Sequence, residues 1–248
     1  MNINLAVQLY SVRDEANRDF VGTLEKVAKI GYKGVEFAGY GGLTASQMKK
    51  HLDRLGLRVA GSHVGIDDLL NNLDDVIKYN IEIGNKYIVC PYASFKSKQD
   101  IIDLAQKLNR IGKKCKENGL QLCYHNHNHE FNVYDGETGL DIIYKETDPD
   151  LVKAEFDVYW IKYAGVDPVS YIHKHKDVCE LIHLKDMAKE DKFYTEIGNG
   201  IIDFGPIIKE SLNNGAKWFV VEQDECRRPP LESIKISYDN IKKMHDLK

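Results

Sequence analysis

The sequence has no apolar run long enough to cross a bilayer as a helix. Its first residues, Met1-Asn2-Ile3-Asn4-Leu5-Ala6-Val7, carry neither a basic leading segment nor a small-residue cleavage site, so they do not read as a secretory signal. Cys-x-x-Cys pairs are missing. The five cysteines, Cys90, Cys115, Cys123, Cys179 and Cys226, are odd in number and far apart. That usage suits a reducing cytosol, with most thiols acting as small core residues, and a cytoplasmic location is expected. Excess positive charge is also missing. A formal net charge of -4 gives no field for holding a phosphate backbone, which counts against nucleic acid as the main partner. No Gly-x-Gly-x-x-Gly follows the first apolar segment, so a dinucleotide-binding sheet lacks its signature. No linker, low-complexity segment or block of like charge divides the chain, and one domain over residues 1–248 is expected.

What is present is a rhythm. The 248 residues, 43% hydrophobic and 29% charged, suit one soluble domain of the length of a (β/α)8 barrel. Short apolar runs rich in β-branched residues recur at 4–9, 34–37, 58–63, 87–90, 120–125, 152–156, 180–184 and 218–222. Several are apolar almost throughout, as in strands buried on both faces of a parallel sheet. The stretches between them are amphipathic. Residues 100–117 place Ile101, Leu104, Leu108, Ile111 and Cys115 on one face, and 20–30 and 69–83 follow the same spacing. Gly31, Gly56, Gly84, Gly119 and Gly215 each stand between a helix and the next strand, where a left-handed cap is expected. The repeated unit predicts an α/β fold, a closed (β/α)8 TIM barrel, with right-handed crossovers.

In such barrels the active site lies at the C-terminal ends of the strands. The polar residues gather there. The first strand runs into Gln8, Tyr10 and Arg13, the second ends at Glu36 and the third at His63. The fifth runs into His125-Asn126-His127-Asn128-His129-Glu130 and the sixth into Asp157. The seventh ends in His183-Leu184-Lys185-Asp186 and the eighth in Glu222-Gln223-Asp224. Carboxylates and an imidazole converging from several strands suit one divalent ion such as Mn2+, Mg2+, Co2+ or Zn2+, because carboxylates gathered without a cation repel one another. Taken singly, each of these residues also reads as a surface charge or a helix N-cap. Alternation along the fifth strand puts His125, His127 and His129 on one face. Glu130 has the other parity and reaches the metal only if the strand ends before it and the chain turns inward.

These residues carry a resemblance. Tyr124-His125-Asn126-His127 with Glu130-Phe131, Phe156-Asp157 with Tyr159-Trp160, His183-Leu184-Lys185-Asp186 and Val221-Glu222 together resemble the sugar phosphate isomerase/epimerase family, built on the xylose isomerase-like barrel. The likeness runs from Gln8 to Asp224. It implies one metal held by Asp157, His183, Glu222 and a residue from the fifth strand end, assigned to Glu130, with His125 and His127 as the alternatives. The superfamily also holds endonuclease IV-type repair enzymes with three zinc ions. This chain departs from them at Cys90-Pro91, at Val158-Tyr159-Trp160 and at Gly198-Asn199-Gly200, where their further histidines are expected.

The expected chemistry is isomerisation or epimerisation of a keto-sugar through an enediolate. The metal stabilises negative charge, and Glu130 and Glu222 remove and return the proton from opposite sides. His127 joins this catalytic set. Lys185 either hydrogen-bonds the oxyanion or pairs with Asp186 or Glu222. His63, His125 and His127 are candidate contacts to sugar hydroxyls. Tyr10, Phe37 and Trp160 either face a sugar ring or pack the barrel mouth. Gly198-Asn199-Gly200 is a candidate phosphate loop or a tight turn. The rival outcome is a lyase, either a 3-keto-glycoside deglycosidase or an inosose dehydratase-like enzyme. A barrel that binds sugar without turnover is the reading from another class, and a homo-oligomer is compatible with each.

Overall fold

The computed structural model describes residues 3–244. Eight parallel strands close into a barrel: β1 (Leu5–Gln8), β2 (Gly34–Phe37), β3 (Arg58–His63), β4 (Tyr87–Cys90), β5 (Gln121–His125), β6 (Val152–Asp157), β7 (Cys179–Leu184) and β8 (Trp218–Val221). Each strand pairs with its neighbours in sequence, and β1 pairs with β8 to close the ring, with Ala6 opposite Val220. The fold is the (β/α)8 barrel that the apolar rhythm predicts. No helix among the described residues is long and apolar enough to cross a membrane.

Two alternating sets of side chains hold the barrel. Outward residues such as Val35, Phe37, Ile88, Tyr124, Phe156, Ile182 and Phe219 pack against the helices. Each fully buried side chain of this size contributes about 1.5–3 kcal/mol. Inward residues Ala6, Ala60, Val89, Cys123, Leu181, Trp218 and Val220 form a separate cluster that fills the lower barrel. Gly34 makes room for it, since a Cβ there would overlap the Trp218 ring. Cys90, Cys115, Cys123 and Cys179 are buried, and burial pushes the thiols of Cys90, Cys115 and Cys179 up to about 12.

The helices start where local chemistry supplies caps. Helix Lys98–Glu117 begins two residues before the apolar periodicity because Ser97 caps it, exchanging hydrogen bonds with Asp100. Helix Ala45–Leu55 begins on the same box, Thr44 with Gln47, and ends at left-handed Gly56 (φ 64°). The stretch 69–83, expected as one helix, is two: Ile66–Asn71 and Leu73–Glu82, broken at Asn72 (φ -128°, ψ 23°). Asn71 and Asn72 bond to Asp67 and Asp68 one turn earlier, the local competition by which asparagine interrupts helices.

Candidate active site

The upper barrel reverses the character of the lower. Gln8, Glu36, His63, His125, Glu155, Asp157, His183 and Glu222 fill it, and all but His63 are buried. Alternation carries these side chains inward: Glu155 and Asp157 share a face of β6, and in the ladders His125 lies opposite Glu155 while Asp157 lies opposite His183. Two irregularities aim the deeper carboxylates. The β2–β3 register shifts between Val35 and Glu36, and the β6–β7 register shifts between Ala154 and Glu155. Such bulges commonly re-aim a side chain beside an active site. Gly61 leaves the space that Glu36 occupies, because a Cβ there would overlap its carboxylate.

Carboxylates hold two imidazoles from behind. His183 Nε2 lies 2.6 Å from Glu36 Oε2 and donates to it, and Nδ1 lies 3.0 Å from Glu222 Oε2. His125 Nδ1 donates to Glu155 Oε2 at 3.0 Å, which leaves Nε2 facing Asp157 Oδ2 at 3.8 Å. Asp157 divides its two oxygens in the same way. Oδ1 accepts the amides of Tyr159 and Trp160 at the start of helix Val158–Tyr163, and Oδ2 faces inward, paired with the Lys185 ammonium at 2.9 Å. Asn126 locks the two strands together: it accepts the Asp157 amide at 3.0 Å and donates to the Asp157 carbonyl at 3.3 Å. One ligand atom from each of His125, Asp157, His183 and Glu222 lies within 4.8 Å of the others. Two imidazole nitrogens and two carboxylates, each imidazole held from behind by a carboxylate, can hold a divalent cation.

The charges bear on this arrangement. Burial works against a charge on His183, but Glu155, Glu36 and Glu222 prevail and raise it well above the usual imidazole range, so a metal at Nδ1 takes the place of a proton. Burial, joined by the neighbouring His183, His127 and His63, holds His125 well below the usual imidazole range, so it is neutral as a ligand must be. Burial pushes Asp157 up to about 6 despite the ammonium of Lys185. Burial opposes ionisation of Glu222 as well, but Lys185 and His183 outweigh it and hold the carboxylate well below its ordinary value. His63 meets burial that would discharge it, yet Glu36 and Glu155 raise it to about 10. Its Nε2 lies 2.7 Å from Glu155 and 3.2 Å from Glu36, so it is a fixed cation beneath the site.

Above the cluster opens a cavity of about 550 Å³, whose walls include Tyr10, His63, His125, His127, Trp160 and Glu222. Tyr92, Tyr194 and Asp224 also line it. Lys185 is buried at its edge, within 2.9 Å of Asp157, Glu222 and Asp224. Its pairing is thus with Glu222, not Asp186. His127 Nδ1 and Trp160 Nε1 are buried and have no hydrogen-bond partner among the described residues. Burial and the Lys185 charge push His127 down to about 3.

One expectation is corrected, and two open alternatives are decided. Glu130 is not brought to the cluster. The strand stops at His125, and the next turn, His129–Phe131, folds the Glu130 carboxylate back onto the His127 amide at 2.8 Å and the Tyr124 hydroxyl at 3.0 Å. His125, the alternative at that strand end, stands in the cluster instead. Phe37 has the parity opposite to Glu36 and is wholly buried outside the barrel, so it cannot face a ligand. Gly198-Asn199-Gly200 is not free to hold phosphate. The amides of Gly198 and Gly200 each donate to Asp186 Oδ2 at 2.9 Å, so an internal carboxylate already fills the turn.

Glu155 and its partnership with three histidines were not anticipated. It lies inside a strand and not at its end. The usable signal was parity, which puts it on the same face as Asp157.

Comparison with known proteins agrees with this architecture. The family model described as xylose isomerase-like TIM barrel matches residues 24–244, and the chain belongs to that family. The curated inosose dehydratase of Geobacillus kaustophilus is 25% identical over 268 residues, covering 89% of this chain and 86% of the relative. The crystal structure of a sugar phosphate isomerase/epimerase from Parabacteroides distasonis superposes with a TM-score of 0.87 at 25% identity, covering 100% of this chain and 96% of that one. A more distant barrel, 11% identical with a TM-score of 0.76 over 97% of each chain, was solved with a bound zinc atom and shares the fold.

Proposed function

We propose that the chain is a metal-dependent lyase that removes water from a keto-cyclitol or related keto-sugar, with His125, Asp157, His183 and Glu222 holding the metal. The carrying observation is the pair of carboxylate-backed imidazoles whose second nitrogens face Asp157 and Glu222 beneath the cavity. A borderline ion, Mn2+, Co2+ or Zn2+, suits a donor set with two nitrogens. When bound, it supplies Lewis-acid stabilisation of the negative charge that develops on a substrate carbonyl oxygen.

The chain's own groups supply the rest. His127 lines the cavity, is unprotonated and coordinates nothing in this ligand set. It takes the proton from the carbon beside the carbonyl. The C–H electron pair forms the new double bond, the neighbouring C–O bond breaks, and the departing hydroxyl receives the proton from the His127 imidazolium and leaves as water. The negative charge arising beside His127 offsets the Lys185 field that otherwise weakens it as a base. Lys185 adds fixed positive charge at the cavity edge. Trp160 and Tyr10 give apolar faces for a ring. Among the described residues no arginine or lysine lines the cavity, and Lys185 at its edge is already matched by three carboxylates, which favours an unphosphorylated substrate. The dehydratase name of the Geobacillus relative supports the same outcome.

Elimination is preferred over epimerisation because Glu130 is withdrawn, so the opposed glutamate pair is not assembled. The likeness to the Parabacteroides isomerase/epimerase favours epimerisation as the second reading. Incubation of zinc- or manganese-loaded protein with inososes and keto-sugars in D2O, followed by proton NMR, separates them. Loss of water with a new enone or diketone, abolished in His127→Ala, is expected. Deuterium at the α-carbon with the hydroxyl count unchanged would establish the epimerase. Absence of both in metal-loaded protein would sink the proton-transfer reading.

A further inference from the structure

Glu155 is a wholly buried carboxylate that pairs with no arginine or lysine among the described residues, and one of its oxygens serves three imidazoles. Glu155 Oε2 lies 2.7 Å from His63 Nε2, 3.0 Å from His125 Nδ1 and 3.2 Å from His183 Nε2. Oε1 has no partner. The register shift at Ala154/Glu155 falls at this residue, and it sits two positions before Asp157 on the same face of β6. His183 has a second carboxylate for its Nε2, because Glu36 lies closer, at 2.6 Å. His125 has no such substitute, and Glu155 is the only acceptor on its Nδ1 among the described residues.

We propose that Glu155 is the positioning residue that makes His125 a metal ligand: by accepting the Nδ1–H it fixes the tautomer whose Nε2 lone pair is turned toward Asp157 and the metal. The inference rests on the ligand set proposed above and deepens it. Without the Glu155 acceptor the His125 ring is free to carry its proton on Nε2, which abolishes its donor capacity, or to rotate. Partners that hold the far nitrogen of a ligating histidine typically matter 10–100-fold for metal affinity. Here the consequence is also one of selectivity. An imidazole in place of a carboxylate turns the site from a hard oxygen set toward zinc or cobalt and away from magnesium. Glu155 is therefore the residue on which that selectivity depends.

Two measurements on the full chain test this. The first reads the wild-type site directly: long-range proton–nitrogen NMR of the metal-free protein labelled with nitrogen-15 histidine. His125, assigned by its loss in His125→Gln, is expected to show a protonated Nδ1 and an unprotonated Nε2. An Nε2-protonated ring overturns the inference, whatever reaction the protein carries out. The second is a zinc titration against a competing chelator, with magnesium as comparison. Glu155→Leu, which removes the acceptor, is expected to lose about 10–100-fold in zinc affinity, with a smaller change for magnesium, and to change the His125 nitrogen shifts, whereas Glu155→Gln, which keeps a carbonyl acceptor, loses less. Adding His125→Gln to Glu155→Leu should cost little more, since both remove the same ligand. Zinc affinity in Glu155→Leu equal to wild type overturns the positioning role alone. A wild-type protein that binds no zinc overturns the ligand set on which it rests, and the two failures are thus distinct.

Discussion

Glu130 spends both carboxylate oxygens on its own surroundings, Oε1 on the Tyr124 hydroxyl and Oε2 on the His127 amide. Burial raises its pKa above the ordinary carboxylate value, which fits a group placed for its hydrogen bonds. Glu130→Ala is expected to leave metal stoichiometry unchanged and to destabilise the fold by about 1–3 kcal/mol, because two buried donors lose their acceptor. Metal analysis beside urea unfolding checks this, and loss of the metal with stability intact would restore Glu130 as a ligand. Asp157→Asn is expected to do the reverse. Its Oδ1 can still cap the following helix, while the inward atom becomes an amide, so metal binding falls by at least tenfold with little loss of fold.

At the scale of elements, two carboxylates tie segments together. Asp186 follows β7, and its oxygens accept the amides of Met187, Gly198, Gly200 and Ile202. Asp141, in the helix Gly139–Glu146, accepts from the Tyr171 hydroxyl at 3.1 Å, Lys174 Nζ at 2.8 Å and His175 Nε2 at 2.8 Å, which joins that helix to Pro168–Lys174. Burial works against its charge, but the bonds from His175, Lys174 and Thr138 prevail and hold it well below its ordinary value. A depressed carboxylate stabilises the fold above its unfolded value, about 3.9, and that stability is lost as pH falls through the lower folded value. Asp141→Asn is therefore expected to lower the urea midpoint at pH 7, and the gap to wild type should begin to close below about pH 4. A gap that is constant from pH 7 to pH 2 would contradict the charge-based account.

Much of this scale was legible beforehand. The apolar runs at 34–37, 58–63 and 87–90 coincide with strands, because burial on both faces leaves an uninterrupted signature. Asp157, His183 and Glu222 were legible because each stands where a strand gives way to a loop. His125 against Glu130 was not. Which of them faces inward depends on where β5 stops and how the following turn folds, and neither is written in residue periodicity. The break at Asn72 and the filling of the 198–200 turn by Asp186 depend likewise on side-chain to backbone bonds that a hydrophobic pattern does not contain.

Across the whole molecule the barrel interior divides into an apolar base around Trp218 and a polar crown around Glu155. The base holds the strand ends at fixed separation, and the crown places ligands on that frame. Trp218→Ala is expected to destabilise the protein by about 3–5 kcal/mol through the void left at the base, while metal affinity at 25 °C stays within a few-fold of wild type. A large loss of affinity in a variant still folded by circular dichroism would show the two halves to be coupled. The central claim is the ligand set, and anomalous diffraction from crystals of the zinc-loaded protein tests it most directly. The account predicts one ion about 2.0–2.2 Å from His125 Nε2, Asp157 Oδ2, His183 Nδ1 and a Glu222 oxygen, with Glu130 still bonded to the His127 amide. An ion coordinated by Glu130, or one seated below among His63, Glu155 and His183, would contradict it.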